Sequence, residues 1–284
     1  MRGIIRVLST SEKYFAEIPG NFPAHRWTPA PRAGVPMTEI THWPPWQDEP
    51  MSIPASDLMP ALRSGHSTSP RLTWYGPASE RVELSGRVLD NWVAKTSNLL
   101  QDELDAEPGT RLRLDLPAHW KSVILALAAW QLGMEVVFGD AEAELLATGD
   151  PGPGAAQGAF DAVLAVALPA LAMRWEGELP TGVVDYAAEV RSHGDVFMPH
   201  VDPEASRRAV LAAAGTEHTH GDLLDGFAAA HDEGVRLLVA AGDGLEPALA
   251  QCLGAWTRDG SVVLVHPEVA VTEKLLADER INAS

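Results

Sequence analysis

Three residues with ligand chemistry, His218, His220 and Asp222, stand at alternate positions in the run AVLAAAGTEHTHGDLL from Ala209 to Leu224. Two imidazoles and a carboxylate could hold a divalent ion, but zinc needs three or four donors that converge from different directions. Thr219 or Asp222 capping a helix accounts for the same polar residues, so no metal is expected. His119, Trp120 and Lys121 form a second cluster, directly after a strand-like run and at the head of an apolar helix. That is the carboxyl edge where open α/β sheets place ligands, although a polar helix start would look the same. Gly242 and Gly244 lie between a strand-like and a helix-like run, where backbone N–H groups could face an anion. Asp243 between them would repel one, and a tight turn requires the same glycines. Gly152, Gly154 and Gly158 miss the GxGxxG spacing by one residue, and there is neither a GxxxxGK[ST] loop nor a GxSxG elbow. Dinucleotide, Walker-type and serine-hydrolase readings are therefore weak. The single cysteine, Cys252, sits in an apolar periodic segment where burial is the usual fate, and it can form neither an intrachain disulfide nor a cysteine metal cluster.

The elements that must carry these residues are legible from Leu72 onward. Leu72 to Tyr75 and Val82 to Leu84 read as strands, with Ser85 placed as the N-cap of a helix whose apolar face holds Val88, Leu89, Trp92, Val93, Leu99, Leu100 and Leu104. Pro108 and Gly109 follow it. Arg111 to Leu116 alternates as a strand, Ala118 to Leu132 is an apolar helix stopped by Gly133, and Met134 to Phe138 is the next strand, which makes a βαβ unit. Further on, strands are expected at Ala162 to Ala167, Val235 to Ala241 and Ser261 to Val265. Helices are expected near Val184 to Ser192 and at Gly221 to His231, Leu245 to Trp256 and Val269 to Ala277, with a flexible loop at Gly149 to Gly158. Such alternation predicts an α/β fold, a mostly parallel sheet with helices on both faces.

Residues 1 to 60 hold ten of the 22 prolines and keep neither a strand nor a helix period. They read as a disordered or extended arm, and residues 61 to 284 as the folded domain. Trp27, Trp43 and Trp46 could anchor the arm on a protein partner, and Met37 and Met51 offer alternative translation starts. The net charge of -18, with only four lysines (Lys13, Lys95, Lys121 and Lys274), opposes nucleic acid or an anionic membrane as partner. No apolar run approaches the roughly 20 residues of a membrane span. Arg6 and the polar run from Ser9 interrupt any secretory signal. A cytoplasmic protein is expected.

The run from Leu72 to Asp140, LTWYGPASERVELSGRVLDNWVAKTSNLLQDELDAEPGTRLRLDLPAHWKSVILALAAWQLGMEVVFGD, resembles the amino-terminal part of AMP-dependent synthetases and ligases, the acyl-CoA synthetase superfamily. Leu84 and Ser85, Pro108 and Gly109, Pro117, and Gly133 occupy the family's leucine-serine step, pro-gly turn, strand-ending proline and helix-closing glycine. Thr219, His220 and Leu223 resemble the threonine-histidine-x-x-leucine step that follows the family's phosphate loop, and Gly215 with Thr216 resembles a remnant of the loop itself. The family's loop carries a Pro-Lys-Gly end whose amides and lysine surround ATP phosphates; here only Glu217 and His218 lie between the two remnants.

The resemblance therefore implies cofactor contacts only at Gly215, Thr216, Thr219 and His220, and argues against ATP or AMP as a cofactor. It runs to Ile281, and the family's later adenine, ribose and lysine motifs find no counterpart, so no catalytic residue is carried over. It extends to a short actinobacterial group weakly similar to AMP-binding enzymes. The expectation is a truncated, degenerate relative without adenylation activity, acting by binding or regulation with a protein partner or as a homo-oligomer. The alternative is a working acyl-CoA synthetase-like or amino-acid adenylating fragment, alone or as half of a split enzyme.

Overall fold

Two sheets share the core of the computed structural model, which describes residues 55–64, 67–152 and 158–284. The larger has seven strands in the spatial order β7 (Val183–Asp185), β6 (Ala162–Ala165), β5 (Leu145–Thr148), β3 (Arg111–Asp115), β4 (Glu135–Val137), β8 (Arg208–Leu211) and β9 (Glu217–Thr219). All neighbours run parallel except β8 and β9, which form an antiparallel hairpin at the edge. The smaller sheet has the order β10 (Arg236–Ala240), β11 (Ser261–Val265), β1 (Pro70–Tyr75) and β2 (Arg81–Ser85), with only the last pair antiparallel. β4 and β5 are buried along their whole length, as strands covered on both faces must be.

The helices explain that cover. α1 (Ala55–Ser64) buries Leu58, Met59 and Leu62, and its carbonyl at Leu62 comes so close to Gly86 that a Cβ there would lie 2.4 Å away. Only glycine permits that approach. Gly86 opens α2 (Gly86–Glu103), whose N-cap is Ser85, its hydroxyl accepting from the Val88 amide. α3 (Trp120–Leu132) is buried except at Gln131 and touches strands of both sheets, the setting that a helix apolar on every side requires. It stops at Gly133, which takes the left-handed conformation (φ +84°) and donates to Ala129 and Trp130. The short α4 (Tyr186–Glu189), α5 (Leu245–Thr257) and α6 (Glu273–Asp278) complete the set. Glu279, just beyond α6, accepts from Tyr75, Arg81 and Arg236, which fastens the end of the chain to the smaller sheet.

Several expectations need correction. The helix Gly221 to His231 is only a wide turn at Leu223–Phe227, after which Ala228 is extended. The reason is tertiary: the Ala229 amide donates to Ala250 of α5, and a Cβ on Gly254 would sit 1.8 Å from the Ala229 carbonyl oxygen, so the segment is drawn straight across α5. The helix near Val184 to Ser192 is strand β7, then α4, then a single tight turn at Val190–Ser192; Asp185 ends the strand and caps the helix by accepting from Ala187 and Ala188. The last helix begins at Glu273 rather than Val269, because Thr272 is its N-cap. Strands β5, β8 and β9 have no counterpart in the sequence reading, and α1 begins inside the segment read as an arm. The rest of that segment, with its three tryptophans, lies outside the described residues, as do residues 153–157 of the Gly149 to Gly158 loop. Among the described residues no helix is long and apolar enough to cross a membrane.

Candidate functional site: a hydrogen-bonded hairpin tip and a buried histidine

The four residues expected to contact a cofactor differ in exposure. Gly215 and Thr216 are exposed at the tip of the β8–β9 hairpin, with open space around Gly215 and its φ at +86°. Thr219 is half-buried at the end of β9, its hydroxyl donating to Asp222 at 2.8 Å. His220 is buried, and burial lowers its pKa, which the adjoining backbone of Gly133 and Met134 partly offsets. His218 packs its ring against Phe227 at 5.6 Å. Among the described residues no three His, Cys, Asp or Glu side chains come together as a metal site would require.

The loop's own amides are largely committed. Ala212 donates to the Thr216 carbonyl and Gly215 to the Ala212 carbonyl, each at 2.8 Å. Ala213 donates to Glu246 Oε2 at 3.0 Å, so a carboxylate from the first turn of α5 occupies a hydrogen bond that a phosphate nest would offer its ligand. Glu217, paired with Arg208 at 2.5 Å, adds a second acid beside the tip. Glu246 lies 33 residues from its partner, and no local signal in the sequence marks it.

The second cluster is built differently. His119 is the N-cap of α3, its Nδ1 accepting from the Lys121 amide at 3.1 Å. Burial first, then Lys121 and His266, push its pKa down to about 3, so the ring is neutral and carries its proton on Nε2. That atom is buried and has no hydrogen-bond partner among the described residues. Lys121 is buried too; its Nζ donates to the carbonyls of Ala167 at 2.6 Å and Pro169 at 2.8 Å, and burial lowers its pKa to about 8. Lys121 thus ties the end of β6 to α3, while His119 faces a cavity of about 460 Å³ between the carboxyl ends of strands from both sheets. Ser122 donates to the Pro117 carbonyl at 2.8 Å. Cys252 is fully buried with its thiol pushed up to about 12, which makes it inert as a nucleophile.

The chain matches no family model. Its fold is that of the amino-terminal part of acyl-CoA synthetases. An acyl-CoA synthetase from Brucella canis superposes with a TM-score of 0.64 at 17% identity, over 81% of this chain and 46% of that one. An acetoacetyl-CoA synthetase from Streptomyces lividans gives 0.61 at 16% identity, over 82% and 42%. The N-terminal domain of FACL13 from Mycobacterium tuberculosis gives 0.58 at 15% identity, over 81% and 61%. The chain thus spans about half the length of the solved structures it matches. It is also similar to a TIGR03089 family protein of Mycobacterium tuberculosis, with 33% identity over 245 residues that cover 82% of this chain and 98% of the relative. At that identity and coverage, the chain belongs to the TIGR03089 family.

Proposed function

We propose that this protein is a binding or regulatory relative of the acyl-CoA synthetases that does not adenylate, and that it works with a protein partner or as a homo-oligomer. The observation that carries the reading is the hydrogen bond from the Ala213 amide to Glu246. In the adenylate-forming loop, amides and a lysine meet the phosphates; here the matching segment has no lysine, and one of its amides is held by a carboxylate. A polyphosphate approaching Gly215 and Thr216 would meet the charge of Glu246, while the hairpin's nearby cation, Arg208, is already paired with Glu217 and the segment has no lysine to offset it. The rest of the fold does not depend on that loop, so the scaffold can persist as a recognition surface.

Titration calorimetry with ATP and magnesium tests the reading directly, and it predicts no binding in the micromolar range. Pyrophosphate exchange with a panel of carboxylic acids tests it independently, because adenylation is reversible. Exchange above background would replace this reading with that of a working acid-ligase fragment.

A further inference from the structure

Five of the seven large apolar side chains that stand exposed among the described residues lie on two short segments. Leu171 and Met173 are on one, Val196, Met198 and Val201 on the other, each between 55% and 84% exposed. The two segments are fastened side by side. Arg191, in the tight turn after α4, donates to the carbonyls of Ala172 and Met173, and two residues later the second segment begins as a strap along α2. Asn98 of α2 donates to the carbonyls of Gly194 at 2.9 Å and Val196 at 3.1 Å, and the His200 amide donates to Gln101 Oε1 at 3.0 Å. Phe197 packs inward against the core, which leaves its neighbours Val196 and Met198 on the outside.

Clustered exposed apolar side chains mark a contact surface, and methionines suit one that must adapt its packing to a partner. The surroundings decide the occupant. Where the strap ends, His200 and Val201 line a recess of about 300 Å³ together with Asp102, Asp105 and Glu107. These three acids are exposed, and their carboxylates have no hydrogen-bond or ion-pair partner among the described residues. The cations nearby are already committed: Lys95 donates to the His193 carbonyl, Arg191 to backbone carbonyls, and Arg207 pairs with Glu204 and donates to the Pro108 carbonyl. A second copy of this chain, with its net charge of -18, would bring acids against acids. The strap forms no strand and contains Pro199, so it offers no regular ladder to an added strand, and recognition must pass through side chains. We propose that this face docks a basic amphipathic helix of a partner protein, with the helix's apolar stripe on Val196, Met198 and Val201 and its Lys or Arg side chains over Asp102, Asp105 and Glu107. The proposal names the partner's chemistry for the binding role above and rests on that role. The nucleotide titration addresses only the hairpin and the following experiment only this face, so either can fail alone.

The probe is a fluorescein-labelled synthetic helix of about 18 residues, leucines on one face and lysines on the other, titrated with the full chain and read by anisotropy. A scrambled peptide of the same composition and a counterpart with glutamate for lysine run beside it. The amphipathic peptide is expected to bind about tenfold more tightly than the scrambled one, and the acidic one not at all. Val196→Ser combined with Met198→Ser should weaken the amphipathic peptide by about tenfold and leave the scrambled peptide unchanged. Asp102→Asn, Asp105→Asn and Glu107→Gln together should weaken it by about threefold to tenfold and flatten its salt dependence. Neutralising three exposed acids elsewhere, by Asp232→Asn, Glu233→Gln and Glu268→Gln, should change it by less than about twofold. All these positions are exposed, so the fold should be unaffected. Absence of binding, a scrambled peptide that binds as well, indifference to the serine pair, or equal losses from the two acid triplets would each overturn the proposal. Self-association in sedimentation that the serine pair abolishes would give the face to a second copy and overturn it too.

Discussion

The β3–α3–β4 unit and the β8–β9 hairpin with its following turn are neighbours in one sheet, joined by the pairing of β4 with β8, yet they are held by different physics. In the first, nearly every side chain from Trp120 to Leu132 is buried, and identity is fixed by volume and apolarity. In the second, Ala209, Val210, Leu223 and Leu224 anchor the ends while everything from Ala213 to Glu217 is exposed and held by a few local hydrogen bonds. A side chain at the exposed tip meets solvent rather than the core, so the tip can vary without disturbing the packing that holds the fold. On the function proposed above, the chain keeps the scaffold of its fold while its hairpin tip departs from the loop that would bind a nucleotide.

The contrast is broken most severely from the scaffold side. Leu125→Ala, at a fully buried position of α3, leaves a cavity in the core and is expected to cost about 3 to 5 kcal/mol in urea unfolding. Gly254→Ala should follow with about 1 to 3 kcal/mol or more, because its new methyl would strike the Ala229 carbonyl oxygen. If Gly254→Ala proved neutral, the account of why the chain leaves the Leu223–Phe227 turn without forming a helix would fail.

Acid tests the buried imidazoles of both regions next. His119 has a folded pKa of about 3 against an ordinary 6.5, and His220 is shifted in the same direction. Between those two values the unfolded chain binds protons that the folded His119 refuses, so the stability present above pH 6.5 is lost as pH falls toward 3. The loss is on the order of a few kcal/mol. Thermal midpoints measured from pH 7 to pH 4 should therefore fall, and His119→Asn should fall less steeply than the native chain. Parallel slopes would mean that the imidazole is solvated rather than buried.

The scaffold was legible in sequence because its signals are local. Ser85 as N-cap, Gly133 as left-handed stop and the strand Ser261–Val265 are where the sequence places them. Strands β5, β8 and β9 were not legible: they are three or four residues long, and β8 is a strand only because β4 and β9 flank it. The turn at Leu223–Phe227 was misread as a full helix because Leu223, Leu224 and Phe227 carry helical spacing for one turn, while the competing bond from Ala229 to Ala250 comes from α5. Of the candidate sites, the His119 cluster was visible as polar residues heading an apolar helix. Its cavity was not, because Trp74 on β1 and Leu168 and His266 from the segments after β6 and β11 reach it from far apart in the chain. The bond from Ala213 to Glu246 was hidden for the same reason.

The smallest effect concerns that bond and sharpens the comparison most. Glu246→Ala frees the Ala213 amide at an exposed site, so stability should fall by no more than about 1 kcal/mol. ATP binding should still not appear, because the loop segment supplies no lysine and Arg208 is already paired with Glu217. Glu246→Lys goes further, reversing the charge at the same place. If repulsion alone keeps phosphate away, the lysine variant should bind ATP weakly, with an affinity that falls as salt rises, while the alanine variant stays silent. If neither binds, the cause lies in the backbone: Ala212 and Gly215 already donate within the hairpin, and amides turned toward their own carbonyls cannot form a nest whatever charge stands beside them.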